Sequence, residues 1–260
     1  MDAKLPMKIF FSASRSPLAQ KAYVELTERY GQVPIEEADY LVVLGGDGQV
    51  LSTLYSALKL NKPVFAIRRT ESVGFLCNAF SNRSDLIQRL ERAQHVTLNP
   101  LRIDAETAEG KTFSGIGINE VVVLRDTPQA VRLRILIDGV ERASKYSGDG
   151  VLISTPAGST AYNHSCGGPI MPLNSNTLII TGINGFRPRG WSYAVLPQDA
   201  VTEIEVLESI KRPVKIEAGD AVFHNATKAK IWLDKTQNIT LLFDPDQHLG
   251  ERIIREQFML

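Results

Sequence analysis

Cysteine is scarce in this chain of 260 residues: only Cys77 and Cys166 are present. Two thiols that far apart make neither a disulfide framework nor a zinc site. A reducing cytoplasm is the simplest setting. No apolar run approaches the roughly 20 residues that cross a bilayer. The opening Met1-Asp-Ala-Lys-Leu-Pro6 lacks the apolar centre of a signal peptide. No membrane partner is expected. Net charge is missing too, since Lys+Arg and Asp+Glu each number 29. That excludes a nucleic-acid binder working through a general basic surface. There is no P-loop lysine motif, and Gly115-Ile-Gly117 lacks the third glycine of a dinucleotide-binding fingerprint. His164 and Cys166 are close in sequence, but nothing places a base beside the thiol. Repeats and low-complexity linkers are absent. What remains is a chain with 43% apolar residues, long enough for two domains with real cores.

The stretch Tyr40-Leu-Val-Val-Leu-Gly-Gly-Asp-Gly-Gln-Val-Leu51 organises the first part. Tyr40 to Leu44 reads as a buried parallel strand. Gly45, Gly46 and Gly48 follow, and Val50, Leu54 and Leu58 then keep one helical face. Strand, glycine turn and helix put backbone N–H groups next to a phosphate. Glycine lets the ligand approach, because no Cβ stands in the way. Asp47 does not fit simple phosphate binding, since a carboxylate repels phosphate. It fits a carboxylate facing an attacking hydroxyl, or holding a metal on the phosphate. An ordinary Asp-Gly turn is the plainer alternative.

Around this stretch the pattern alternates. Met7 to Ser12 reads as a strand, and Ser16-Pro17 opens a helix that Gly31 closes, with Leu18, Ala22, Leu26 and Tyr30 on one face. Pro63 to Ile67 is a third strand, and Ser84 to Arg92 a helix. Strands alternating with helices predict a parallel sheet in an α/β domain over residues 1–99. Beyond Pro100 the period is that of strands. Val131, Leu133, Ile135 and Ile137 share one face, and Asp138-Gly139 is a hairpin turn. Further short strands, ending with Ile239–Phe243, predict a mostly antiparallel β domain over 100–245. The tail, 246–260, is too short to be a domain.

Within the β half, the segment from Ser147 to Pro169 is rich in glycine and hydroxyl groups. Ser159, Thr160, Tyr162, Asn163 and Ser165 offer neutral hydrogen-bonding groups around one aromatic ring, which suits a nucleoside. The same residue types also cap helices. Asn119-Glu120 sits at the start of the apolar run Val121–Leu124. An amide and a carboxylate there suit a ribose diol, or else a strand end facing water.

Together Gly45-Gly-Asp-Gly48, Asn119-Glu120 and the run Asp149 to Asn163 resemble the NAD kinase family. The motifs stand in the family's order and the resemblance covers nearly the whole chain. Phe186-Arg-Pro-Arg189 and the short length resemble its alphaproteobacterial branch. The resemblance implies phosphoryl transfer from ATP, or from polyphosphate, to the adenosine 2′-hydroxyl of NAD. It implies Mg²⁺ or another divalent cation with the ATP, and a homotetramer built from dimers. Asp47 would accept the hydroxyl proton. Gly45, Gly46 and Gly48 would face the phosphates. Asn119 and Glu120 would contact the dinucleotide. Ala157, Thr160, Ala161, Tyr162, Asn163 and Ser165 would line its pockets. Asp149 would reach an NAD bound by a neighbouring subunit, and the tail would fold back on the N-terminal domain. One stretch departs from the family: Ala66-Ile-Arg-Arg-Thr-Glu-Ser-Val73 lacks the usual asparagine and glycines before Gly74-Phe75-Leu76. Arg68 and Arg69 then become candidates for phosphate contact, with Glu71 able to pair with either. A lipid kinase with the same glycine turn, and an NAD(H)-binding sensor without turnover, are the competing readings.

Overall fold

The computed structural model describes residues 7–69, 75–81, 85–245 and 258. They form two compact units. One holds the described chain up to Leu98 together with the stretch from Gln237 to residue 245; the other runs from Asn99 to Thr236 and includes Phe258.

In the first unit β1 (Ile9–Ala13), α1 (Pro17–Tyr30), β2 (Tyr40–Gly45), α2 (Asp47–Leu60), β3 (Val64–Arg68), α3 (Leu86–Arg92) and β4 (Gln94–Leu98) follow in chain order. β1, β2 and β3 pair in parallel, as connections through helices require. The sheet as a whole is mixed. The strand Ile239–Phe243 enters between β3 and β4, parallel to the first and antiparallel to the second. The expected β half of 100–245 therefore gives up this strand to the N-terminal sheet. All but one of its residues are buried, which suits a position inside a sheet covered on both faces. The expected return of the 246–260 tail lies, Phe258 apart, outside the described residues.

Local chemistry sets the helix ends. The Ser16 hydroxyl accepts the Ala19 N–H at 3.2 Å, Pro17 stands in the first turn, and Gly31 leaves α1 at φ 79°. Ala22, Leu26 and Tyr30 of the expected face meet the core, joined by Ala19, while Leu18 is exposed. Asn78 is fully buried and ties the sheet together. Its amide donates to the carbonyls of Ala66 and Leu242, and its Oδ1 accepts the Asp244 N–H.

The second unit holds β5 (Leu101–Thr107), β6 (Thr112–Gly117), β7 (Glu120–Arg125), β8 (Val131–Ile137), β9 (Val140–Gly148), β10 (Gly150–Ser154), the short α4 (Tyr162–Ser165), β11 (Thr177–Ile183), β12 (Tyr193–Pro197), β13 (Thr202–Val206), β14 (Val214–Ala218), β15 (Ala221–His224) and β16 (Ala226–Leu233). They make two six-stranded antiparallel sheets, β12-β11-β10-β7-β14-β15 and β6-β5-β16-β13-β8-β9. Alternate residues of both sheets meet in one core, among them Val121, Val123, Val151 and Ile153 from one and Leu133, Ile135, Ile204 and Ile231 from the other. The turn between β8 and β9 has Asp138 at φ 53° and Gly139 at φ 73°, the geometry of the expected hairpin. Val122, Leu152 and Ile183 form a second cluster, with Leu124 and Cys166 against it. β10 is thus buried throughout, which explains its unbroken apolar run.

Candidate active site

In the first unit the glycine stretch is a strand end joined directly to a helix, not an extended loop. Gly45 is the buried last residue of β2, Gly46 is the N-cap of α2, and Asp47 and Gly48 lie in its first turn. An acid there is favoured by the helix dipole. The Asp47 carboxylate accepts the backbone N–H of Phe75 at 2.9 Å and of Leu76 at 3.1 Å, with the Cys77 thiol 3.9 Å away. These backbone contacts fix the orientation of the carboxylate. A Cβ on Gly45 would lie 3.0 Å from that of Gln49, whereas one on Gly48 would meet nothing within 4 Å.

The two arginines after β3 part ways. The Arg68 side chain is exposed, while its N–H donates to the Asn78 carbonyl. Arg69 lies with its guanidinium carbon 3.6 Å from the centre of the Phe80 ring. Glu71 lies outside the described residues.

In the second unit the Asn119 carbonyl is a hub. It accepts the Thr155 N–H at 2.9 Å and the Thr155 hydroxyl at 3.1 Å, so the end of β10 is locked to the start of β7. Gly158 packs so close that a Cβ would lie 2.2 Å from the same oxygen. The side chains beside this hub are left wanting. Asn119 Oδ1 and Glu120 Oε2 are both buried, and neither has a hydrogen-bond donor among the described residues. Burial pushes the Glu120 carboxyl up to about 7. Two neighbouring acceptors held out of water call for donors from a ligand, and hydroxyl groups supply them.

Beside the hub, Ala157 is buried, Thr160 and Ala161 are half-buried, and Tyr162 and Ser165 are exposed. Burial raises the Tyr162 hydroxyl and the Cys166 thiol, which share a hydrogen bond, and the Glu120 charge acts on Cys166 as well. A thiol pushed up in this way is no nucleophile at neutral pH. Asn163 differs from the expected ligand contact. It is fully buried, donates to the carbonyls of Ser159 and Pro169, and accepts the Thr181 hydroxyl at 2.7 Å. It shapes the segment from within. Asp149 is held by Asn184 at 2.8 Å and Arg125 at 2.7 Å, which together keep its carboxyl below the usual range.

Sequence reasoning missed the Phe75 and Leu76 amides, the Phe80 ring and Thr181. The glycine in Pro156-Ala-Gly-Ser159 was the one local signal for the close approach at Asn119. Among the described residues no group of three or more His, Cys, Asp or Glu side chains could hold a metal. No helix among them is long and apolar enough to cross a membrane.

The family model for the ATP-NAD kinase C-terminal domain matches residues 118–241. The NAD kinase of Cereibacter sphaeroides is 44% identical over 254 residues, 98% of this chain and 99% of that one. The NAD kinase of Xylella fastidiosa, strain Temecula1, is 44% identical over 251 residues, 96% of each chain. Among solved structures, yeast NADH kinase complexed with NADH has a TM-score of 0.79 at 21% identity, covering 97% of this chain and 88% of that one. An NAD kinase from Archaeoglobus fulgidus in complex with ATP has a TM-score of 0.73 at 21% identity, covering 98% and 100%. These two structures bear on the fold.

Proposed function

Because the chain belongs to the NAD kinase family, we propose that it makes NADP with ATP as donor, using Asp47 as proton acceptor and Asn119 and Glu120 as the ribose-binding pair. It is a phosphotransferase acting on NAD. The observation that carries the site assignment is the pair of buried, donorless oxygens on Asn119 and Glu120. Ribose hydroxyls are donors of the right kind, and both oxygens are within a segment fixed by Thr155 and Gly158.

The 2′-oxygen of NAD attacks the terminal phosphorus, the bond to the departing ADP oxygen breaks, and the hydroxyl proton passes to Asp47. The transition state of such a transfer is loose, so positioning and charge balance dominate. Mg²⁺ enters with the ATP as part of the substrate. Tyr162 supplies an aromatic wall. Self-association and a cytoplasmic setting complete the reading. Exposed Tyr193 and Val195 on β12, and Val222 on β15, give apolar surface at both edges of one sheet. Neither cysteine is in a disulfide.

The test is NADP formation by the purified protein with NAD and MgATP, read by an NADP-specific dehydrogenase. Polyphosphate replaces ATP in one arm, and lipid acceptors replace NAD in another. NADP made from ATP supports the reading. NAD binding with no NADP from either donor would overturn it in favour of a sensor.

A further inference from the structure

We propose that Arg69, held over the Phe80 ring, binds the phosphate chain of the donor nucleotide, and that Arg68 does not. The proposal rests on the kinase reading above and assigns one residue within it.

The main chain of Arg69 is fixed where the parallel strands end. Its N–H donates to the Gly45 carbonyl at 3.4 Å, and its own carbonyl accepts the Ser16 hydroxyl at 3.3 Å. It therefore stands beside Gly46, the N-cap from which α2 begins. In open α/β sheets the carboxyl ends of the strands line the ligand crevice. The side chain is oriented too. A guanidinium stacked on an aromatic face keeps one plane, so little freedom is left to lose on binding.

Among the described residues, three arginines of this unit lie over aromatic rings, and two of them are already satisfied. Arg29 over Tyr30 is paired with Asp85, and Arg89 over Phe65 is paired with Asp244. Arg69 has no carboxylate partner among the described residues, and its Nε is buried without an acceptor. A cationic donor held out of water calls for an anion, and phosphate oxygens match its planar fork. The glycine turn has no lysine to perform this role. Arg68 is exposed, and no ring or carboxylate among the described residues fixes its plane.

The experiment compares Arg69→Ala, Arg69→Lys, Phe80→Leu and Arg68→Ala in the full-length protein. The readouts are separate KM values for ATP and NAD, ADP binding by calorimetry, and thermal melting. Arg69→Ala should raise the ATP KM and the ADP Kd by about 10- to 100-fold, the worth of a hydrogen bond to a charged group. The NAD KM should not change. Arg69→Lys should restore the melting temperature and only part of the affinity, because an ammonium lacks the planar fork. Phe80→Leu should weaken ADP binding less than Arg69→Ala, and Arg68→Ala should leave it unchanged. Wild-type ADP affinity in both Arg69 variants, or a rise in the NAD KM instead, overturns the proposal. Failure of the kinase reading would look different: no NADP from the wild type, with ADP calorimetry still reporting on Arg69.

Discussion

The backbone N–H of Phe75 donates to the carboxylate of Asp47 at 2.9 Å, across 28 positions of sequence. The proposed base is thus not a free side chain on a glycine turn but one end of a tertiary contact. Leu76 adds a second N–H on the other carboxylate oxygen. Asp47→Asn removes the base and also leaves one of these amides facing an NH₂ group. We expect kcat to fall by about 10²- to 10⁴-fold, the range for a general base. NAD affinity, measured by calorimetry, should persist. Retained turnover would remove Asp47 from its role.

Glu120 gives a pH signature. Its carboxyl stands at about 7 in the fold because of burial, above the ordinary 4.5. A raised carboxyl adds stability that is complete below the unfolded value and lost as pH rises through the folded one. Glu120→Gln stays neutral throughout. Its melting temperature should therefore gain on the wild type as pH rises from about 4.5 to about 7, and the gap should level off above that. Saturating NAD, whose hydroxyls would favour the ionised form, should narrow that gap. A difference that does not vary with pH would show that Glu120 does not titrate there.

Two glycine substitutions should separate packing from ligand approach. Gly158→Ala forces a Cβ to 2.2 Å from the Asn119 carbonyl, and backbone cannot yield cheaply. Melting temperature and NAD affinity should both drop. Gly48→Ala adds a Cβ with nothing within 4 Å in the first turn of α2. Stability should hold or rise by up to about 1 kcal/mol from helix propensity. If phosphate approaches that turn, the ATP KM should rise all the same. Unchanged kinetics in Gly48→Ala would place the donor elsewhere.

Asn163 and Ser165 should behave oppositely despite being two residues apart. Asn163→Ala breaks three hydrogen bonds and leaves the Thr181 hydroxyl and two carbonyls unmet inside the protein. Urea denaturation should show a loss of about 2–4 kcal/mol. Ser165 is exposed, so Ser165→Ala should stay within about 0.5 kcal/mol. A mild Asn163→Ala with lowered NAD affinity would return Asn163 to the role of ligand contact.

Sequence alone determined what depends on near neighbours. Period and turn chemistry fix β2 and α2, the Ser16 cap, and the β8 hairpin at Asp138-Gly139, because these are set by residues within one or two turns of each other. The motifs also located the neighbourhood of Asn119 and Glu120. Tertiary structure decided the rest. A buried strand pattern does not name its partner, so Ile239–Phe243 could be read into either half until pairing with β3 and β4 placed it. Nor does a polar residue in a motif say what it bonds to. Asn163 spends its amide on Ser159, Pro169 and Thr181, Asp47 is aimed by Phe75 and Leu76, and Arg69 is told from Arg68 only by Phe80. Each of those partners is brought in by folding, since a hydrogen bond or a ring contact acts over a few ångströms of space and not along the chain.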